Sequence, residues 1–309
     1  MLLSLLLGST HVDFQALLNA DTTNPDFVKF TSILLSYRLP RLLLAAVAGA
    51  GLACSGVVFQ GVLRNPLADP YIIGIAAGGA LGAVISIAAF KWTWLFATTC
   101  ASFAGSLIAV LIVYGLAFLR KTASYMNTVI LAGIIVGALM NALMLLIMSV
   151  TNSSEIQRIL FWLMGDFSLA DYQKVVFSAP IVILGFIFVF LNSSRLNILV
   201  LGEESALGLG VDVKKIRFLL ITVASLMTGA VVSVSGTIGF VGLVAPHSMR
   251  LLLGPDHRVL LPASFLGGAA FLVASDTLAR LVSYPVELPV GVITALSGAP
   301  FFLYLLLKK

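Results

Sequence analysis

Nine apolar runs, at 42–62, 71–90, 95–119, 129–150, 175–191, 216–234, 240–253, 260–282 and 291–307, follow one another along this chain with only short polar breaks between them. A hydrocarbon core about 30 Å thick takes roughly 20 apolar residues per helical crossing. The runs therefore predict an all-α fold, a polytopic transmembrane helical bundle in one domain over residues 1–309. With a stub at 1–7 counted, the bundle has about ten spans, the first of them truncated. Composition agrees: 60% of the residues are hydrophobic, 10% are charged, and the mean hydropathy is +1.10. A soluble domain carries about 25% charged residues. A soluble enzyme, a disordered region and a nucleic-acid-binding domain are all excluded.

The punctuation between runs is clear at Asn65-Pro66, Asp69-Pro70, Asn192-Ser193-Ser194-Arg195 and Gly254-Pro255-Asp256. Threading the chain backwards from Lys308 and Lys309 on the cytoplasmic side sorts the charges. Eleven basic and five acidic residues fall inside (+6) and seven and eight outside (−1), which together give the net +5. That asymmetry follows the positive-inside rule. Cys54 and Cys100 both lie in apolar runs and are too few for a disulfide framework or a thiolate metal site. They read as two small buried thiols.

Slid by 180 residues, Gly49, Ala50, Ser55, Gly56, Leu63, Pro66 and Gly74 fall on Gly229, Ala230, Ser235, Gly236, Leu243, Pro246 and Gly254, seven identities within 26 positions. Five spans separate the two copies. An odd number inverts one copy relative to the other, and inverted repeats are how many transporters build a pathway with two alternative openings.

Chemistry-bearing motifs are scarce. No G-x-x-x-x-G-K-[ST] loop is present to cradle a nucleotide phosphate, and there is no H-E-x-x-H and no Ser/His/Asp set, so no catalytic or metal-ligating residue is proposed and no cofactor is expected. His247 and His257 suit hydrogen-bonding roles at helix ends. Arg38 and Arg41 flank Pro40, a residue suited to begin a helix, at an outer mouth where cations oppose the positive-inside bias. They can dock an acidic partner or snorkel to lipid phosphate. Arg280 is placed alike, but it follows Asp276 by four residues, so an internal ion pair competes. Between the spans at 175–191 and 216–234, Gly202, Glu203 and Glu204 suit the start of a short helix and Gly208 and Gly210 its end. The small and apolar Ala206, Leu207, Leu209 and Val211 read as exposed there, able to enter a partner's groove.

Three stretches, at 37–82 (YRLPRLLLAAVAGAG…NPLADPYIIGIAAGGALG), 235–262 (SGTIGFVGLVAPHSMRLLLGPDHRVLLP) and 286–309 (VELPVGVITALSGAPFFLYLLLKK), resemble the FecCD-type permease family. Its members are membrane subunits of binding-protein-dependent, ATP-driven importers of iron-siderophores, haem and cobalamin. The resemblance implies ten spans, a homodimer around a central pathway in the inner membrane, and two ABC ATPase subunits on the cytoplasmic face. It also implies a periplasmic or surface-tethered binding protein outside. Carried over position by position, it makes Arg38, Arg41 and Arg280 binding-protein contacts and 201–217 the segment that couples to the ATPase. The pathway falls to Met126, Asn127, Asn141 and the Met140, Met144, Met148 stripe, for which packing is the competing account. The stretch 158–167 (RILFWLMGDF) resembles the family's short outer helix and loop. Where relatives often carry an S-N-G-A turn, this chain has Ala76-Ala77-Gly78-Gly79, so a polar gate there has no counterpart.

A secondary transporter driven by an ion gradient is the alternative. Such proteins usually hold the coupling ion on intramembrane acids or broken helices, and Asp276 and Glu287 both lie near outer ends. Relatives begin with a basic tail and a full first span, so a native chain longer by about 15–25 residues is also expected.

Overall fold

In the computed structural model, which describes residue 28 and residues 31–90, 95–119, 125–283 and 286–307, every one of the nine apolar runs lies on a helix, and the described residues contain no strand. The helices are α1 (Leu39–Leu63), α2 (Ile75–Phe90), α3 (Leu95–Leu119), α4 (Tyr125–Ser149), α5 (Ser153–Leu163), α6 (Tyr172–Leu191), α7 (Ser193–Leu201), α8 (Glu203–Gly208), α9 (Val213–Ser235), α10 (Val241–Leu253), α11 (His257–Leu281) and α12 (Val290–Leu307). Six are long and apolar enough to cross a membrane: α1 with the turns before it, α3, α4, α6, α9 and α11. The apolar helices α2, α10 and α12 are shorter. The run beginning at 71 forms its helix only from Ile75, because 70–74 is occupied by turns. The stub at 1–7 and the question of the chain's start lie outside the described residues.

α1 is the hub, packed against α6, α9, α10 and α11. Lipid tails are as apolar as leucine, so helices associate in a bilayer by close backbone approach across small residues. A Cβ on Gly49 would strike the Gly268 carbonyl on α11, and one on Gly56 would strike the Gly242 carbonyl on α10. Gln60 Nε2 donates to that same Gly242 carbonyl at 3.1 Å. Gly51 meets Val231, while Ser55 Oγ donates to the Ala224 carbonyl at 3.0 Å, so α1 and α9 run antiparallel.

The two copies of the sequence repeat differ in local structure. α1 stays helical through Gly56 to Leu63, whereas α9 stops at Ser235, Gly236 takes φ +71°, and 236–240 is unwound before α10. The neighbours of the break explain it. Tyr71 Oη donates to the Ile238 carbonyl at 2.9 Å and accepts from the Ile238 N–H at 3.2 Å. The Asp166 N–H donates to the Ser235 carbonyl at 2.9 Å, and Thr237 Oγ1 donates to the Leu163 carbonyl. Unwound backbone at membrane depth persists only where protein or a cavity satisfies it.

Two local expectations are corrected. Pro40 does not open its helix: the helix runs from Thr31, and Leu34–Arg38 just ahead of the proline is a π-helical turn. A proline removes a backbone donor and crowds the preceding turn, and here the helix widens rather than ends. Cys54 is fully buried, but Cys100 is exposed on α3.

Candidate functional site

At one end of the bundle the three sequence-predicted arginines come together. Arg38, Arg41 and Arg280 are only 7%, 9% and 6% exposed, so the free mouth expected from the sequence is instead packed within the chain. The Nε and Nη2 of Arg41 donate to Asp276 Oδ1 at 3.0 and 2.9 Å, and its Nη1 donates to Glu287 Oε2 at 2.6 Å. Arg280 Nε lies 3.3 Å from Asp276 Oδ2, which is the i,i+4 pair that competed with docking. One sealed carboxylate on α11 thus anchors guanidiniums from two helices. A sequence reading missed the Arg41 partners, which are 235 and 246 residues away. The signal available was Asp276 itself, since an acid within a span is costly and calls for a cation.

Beside the cluster opens a cavity of about 480 Å³, lined among others by Thr99, Arg158, Trp162, Asp166, Lys174 and Glu287. α5, which overlaps the stretch read from the sequence as a short outer helix and loop, forms part of its wall. Lys174 is 8% exposed; its Nζ donates to the Leu169 carbonyl at 2.7 Å.

A second cavity, of about 520 Å³, lies between α2 and α4 under the unwound segment. Its wall is made of small residues such as Ala77, Gly133 and Gly137, with Tyr71, Asn141, Met144 and Thr237 supplying polar or polarisable atoms. Asn127 and Asn141 are exposed on α4, 14 residues apart, and at 100° per residue they share one face with Ile134, Ala138 and Leu145. The methionine stripe packs largely against the chain itself, with Met144 also reaching this cavity. Met140 is buried, Met126 packs on the main core, and Met144 and Met148 pack against Val84, Ile87 and Ile159.

At the opposite end, α8 begins after Gly202 (φ +132°) and is followed by Gly210 at φ +75°. Glu203 pairs with Arg217 at 3.2 Å, while Glu204 is exposed. Ala206 corrects the sequence reading, because it is fully buried in the main core. The short helix must turn one face onto its own chain, and Ala206 lies on it. Leu207 and Leu209 are 60% and 62% exposed and form the projecting tip. Nearby, His257 opens α11, its N–H bonded to Asn197 Oδ1 at 3.0 Å. The Arg258 N–H and the Asn197 amide hold the Asp256 carboxyl below its usual range. Among the described residues, no three His, Cys, Asp or Glu gather as a metal site.

The sequence model of the FecCD transport family matches residues 1–308. The cobalamin import system permease protein BtuC of Halobacterium salinarum is 46% identical over 269 residues, covering 87% of this chain and 72% of that one. The hemin transport system permease protein HmuU of Yersinia pestis is 38% identical over 307 residues, covering 98% and 90%. A solved structure described as an inward-facing conformation of a metal-chelate type ABC transporter superposes with a TM-score of 0.88 at 33% identity, over 100% of this chain and 96% of that one.

Proposed function

The chain belongs to the FecCD transport family, and from that footing we propose that two copies of it face each other across their α4 helices to pass a metal chelate inward. It is the multi-pass permease subunit of an ATP-driven importer in the inner (plasma) membrane. Permeases of this family work with a binding protein and with separate subunits that carry the ATPase. Family membership removes the ion-gradient alternative.

The observation that carries the pathway reading is the exposed face of α4. Two amides on an otherwise apolar helix surface are poorly suited to lipid, where a polar group without a partner is costly. A water-lined axis between two copies satisfies them. Asn127, Asn141 and Met144 then line the route, and the small-residue cavity beside Asn141 gives a wall without fixed charge. That wall suits a bulky chelate whose metal charge is masked by its organic shell, the kind of cargo that cobalamin and hemin represent for the two relatives. At the outer end, Arg38, Arg41 and Arg280 serve the binding protein; at the inner end, Gly202 to Gly210, led by Leu207 and Leu209, seats in the ATPase.

Thiol accessibility tests the route. In a Cys100→Ser background, Asn127→Cys and Asn141→Cys should react with a membrane-impermeant thiol reagent and lose transport when labelled. Leu139→Cys, about 160° round the helix from Asn141, should stay unreactive. Protection of both asparagine positions, with Leu139→Cys labelled instead, would overturn the assignment.

A further inference from the structure

The guanidinium of Arg41 is divided between two acids of unlike character. Its Nε–Nη2 edge holds Asp276, whose side chain is 3% exposed, at 3.0 and 2.9 Å. Its Nη1 holds Glu287 at 2.6 Å; that side chain is 31% exposed and sits in the non-helical stretch between α11 and α12. The first contact is sealed by helix packing. The second belongs to an acid on a loop, at the rim of a cavity, and can be exchanged. We infer that Glu287 occupies, in the free subunit, the guanidinium position that a carboxylate of the binding protein takes over, so that docking proceeds by carboxylate exchange rather than by capture of a bare arginine. The inference rests on the docking reading given above.

Three further features fit an exchange. The cluster gathers three cations, Arg38, Arg41 and Arg280, around Asp276 and Glu287, with Asp166 acting on it from the cavity wall, so an incoming carboxylate meets guanidiniums already assembled. The cavity that Glu287 lines is also lined by Lys174, so a displaced Glu287 has a cation to turn to. Among the described residues the Lys174 ammonium, which has three donors, bonds only the Leu169 carbonyl, at 2.7 Å; Asp171 and Asp166 act on it from a distance, with no carboxylate within 4 Å. Exchange would therefore keep Arg41 paired and add a partner for Lys174. Stranding a buried charge is the large penalty in such sites, and this route strands none.

The test measures the Kd of the cognate binding protein for the permease–ATPase complex in lipid nanodiscs, at low and moderate salt. Glu287→Gln removes the internal competitor and should lower the Kd about fivefold. Lys174→Met removes the refuge and should raise the Kd in the native background, yet leave it unchanged when Glu287→Gln is already present. That non-additivity is a readout that a merely structural role for Glu287 would not produce. If Glu287→Gln leaves the Kd unchanged or raises it, while Arg38→Gln with Arg41→Gln weakens binding, docking stands and exchange is overturned. If none of these variants alters the Kd, the docking reading itself falls and the inference with it.

Discussion

Asp276 accepts from Arg41 and pairs with Arg280 while almost fully buried, so its removal takes a shared acid from two guanidiniums and leaves Arg41 with Glu287. Breaking a buried pair from one side costs about 3–5 kcal/mol. Asp276→Ala should lower thermal stability in lipid by that order, and Asp276→Asn, which keeps an acceptor oxygen, by less; equal unfolding midpoints for native and Ala forms would contradict the network. The same scale separates Ala206 from Leu207. Ala206→Asp places a charge in the core and should impair folding, whereas Leu207→Asp sits on an exposed tip and should fold normally while losing the ATPase subunits. Co-purification of the ATPase with each variant, alongside its yield of folded subunit, checks both. In the sequence, acids and glycines on either side of Ala206 suit a solvated loop. Burial of a six-residue helix is decided by which face meets α7 and α9, and periodicity over so short a stretch does not reveal that.

The long elements were legible because lipid leaves the backbone no choice but internal pairing, so hydropathy alone located nine helices. What it did not locate were the interruptions. The run at 71–90 is uniformly apolar, yet its first residues form turns, and 236–240 unwinds within a stretch whose repeat partner is helical. Both depend on partners far away in sequence, above all on Tyr71, which binds both backbone groups of Ile238 across 167 residues. Tyr71→Phe should therefore cost about 1–3 kcal/mol by leaving those groups unsatisfied. It should also raise hydrogen exchange at 236–240 more than at the centre of α9. Exchange unchanged at 236–240 would show that the hydroxyl does not hold the break. Pro40 teaches a related point: a proline that reads as a helix start can instead sit behind a π-helical turn when the preceding residues are apolar enough to remain in the bundle.

For the whole molecule, one subunit presents three sites spread from end to end: an ion cluster beside an outer cavity, an amide-bearing face on α4, and a projecting tip at α8. Among the described residues the α4 face that carries Asn127 and Asn141 is exposed, and the proposed route sets a second copy or a lining of water along it. The family and the sequence motifs announced the class of machine, while the internal pairing of Arg41 emerged only from three-dimensional proximity. The central claim is that this chain is the ATP-coupled permease of a chelate importer. The most direct measurement is uptake of radiolabelled cobalamin, haem and ferric citrate by proteoliposomes holding the permease with its ATPase subunits and loaded binding protein. The account predicts accumulation of at least one chelate that requires ATP, persists when proton and sodium gradients are collapsed, and is abolished by Leu207→Asp. Uptake that continues without ATP and stops when the ion gradients are collapsed would contradict it.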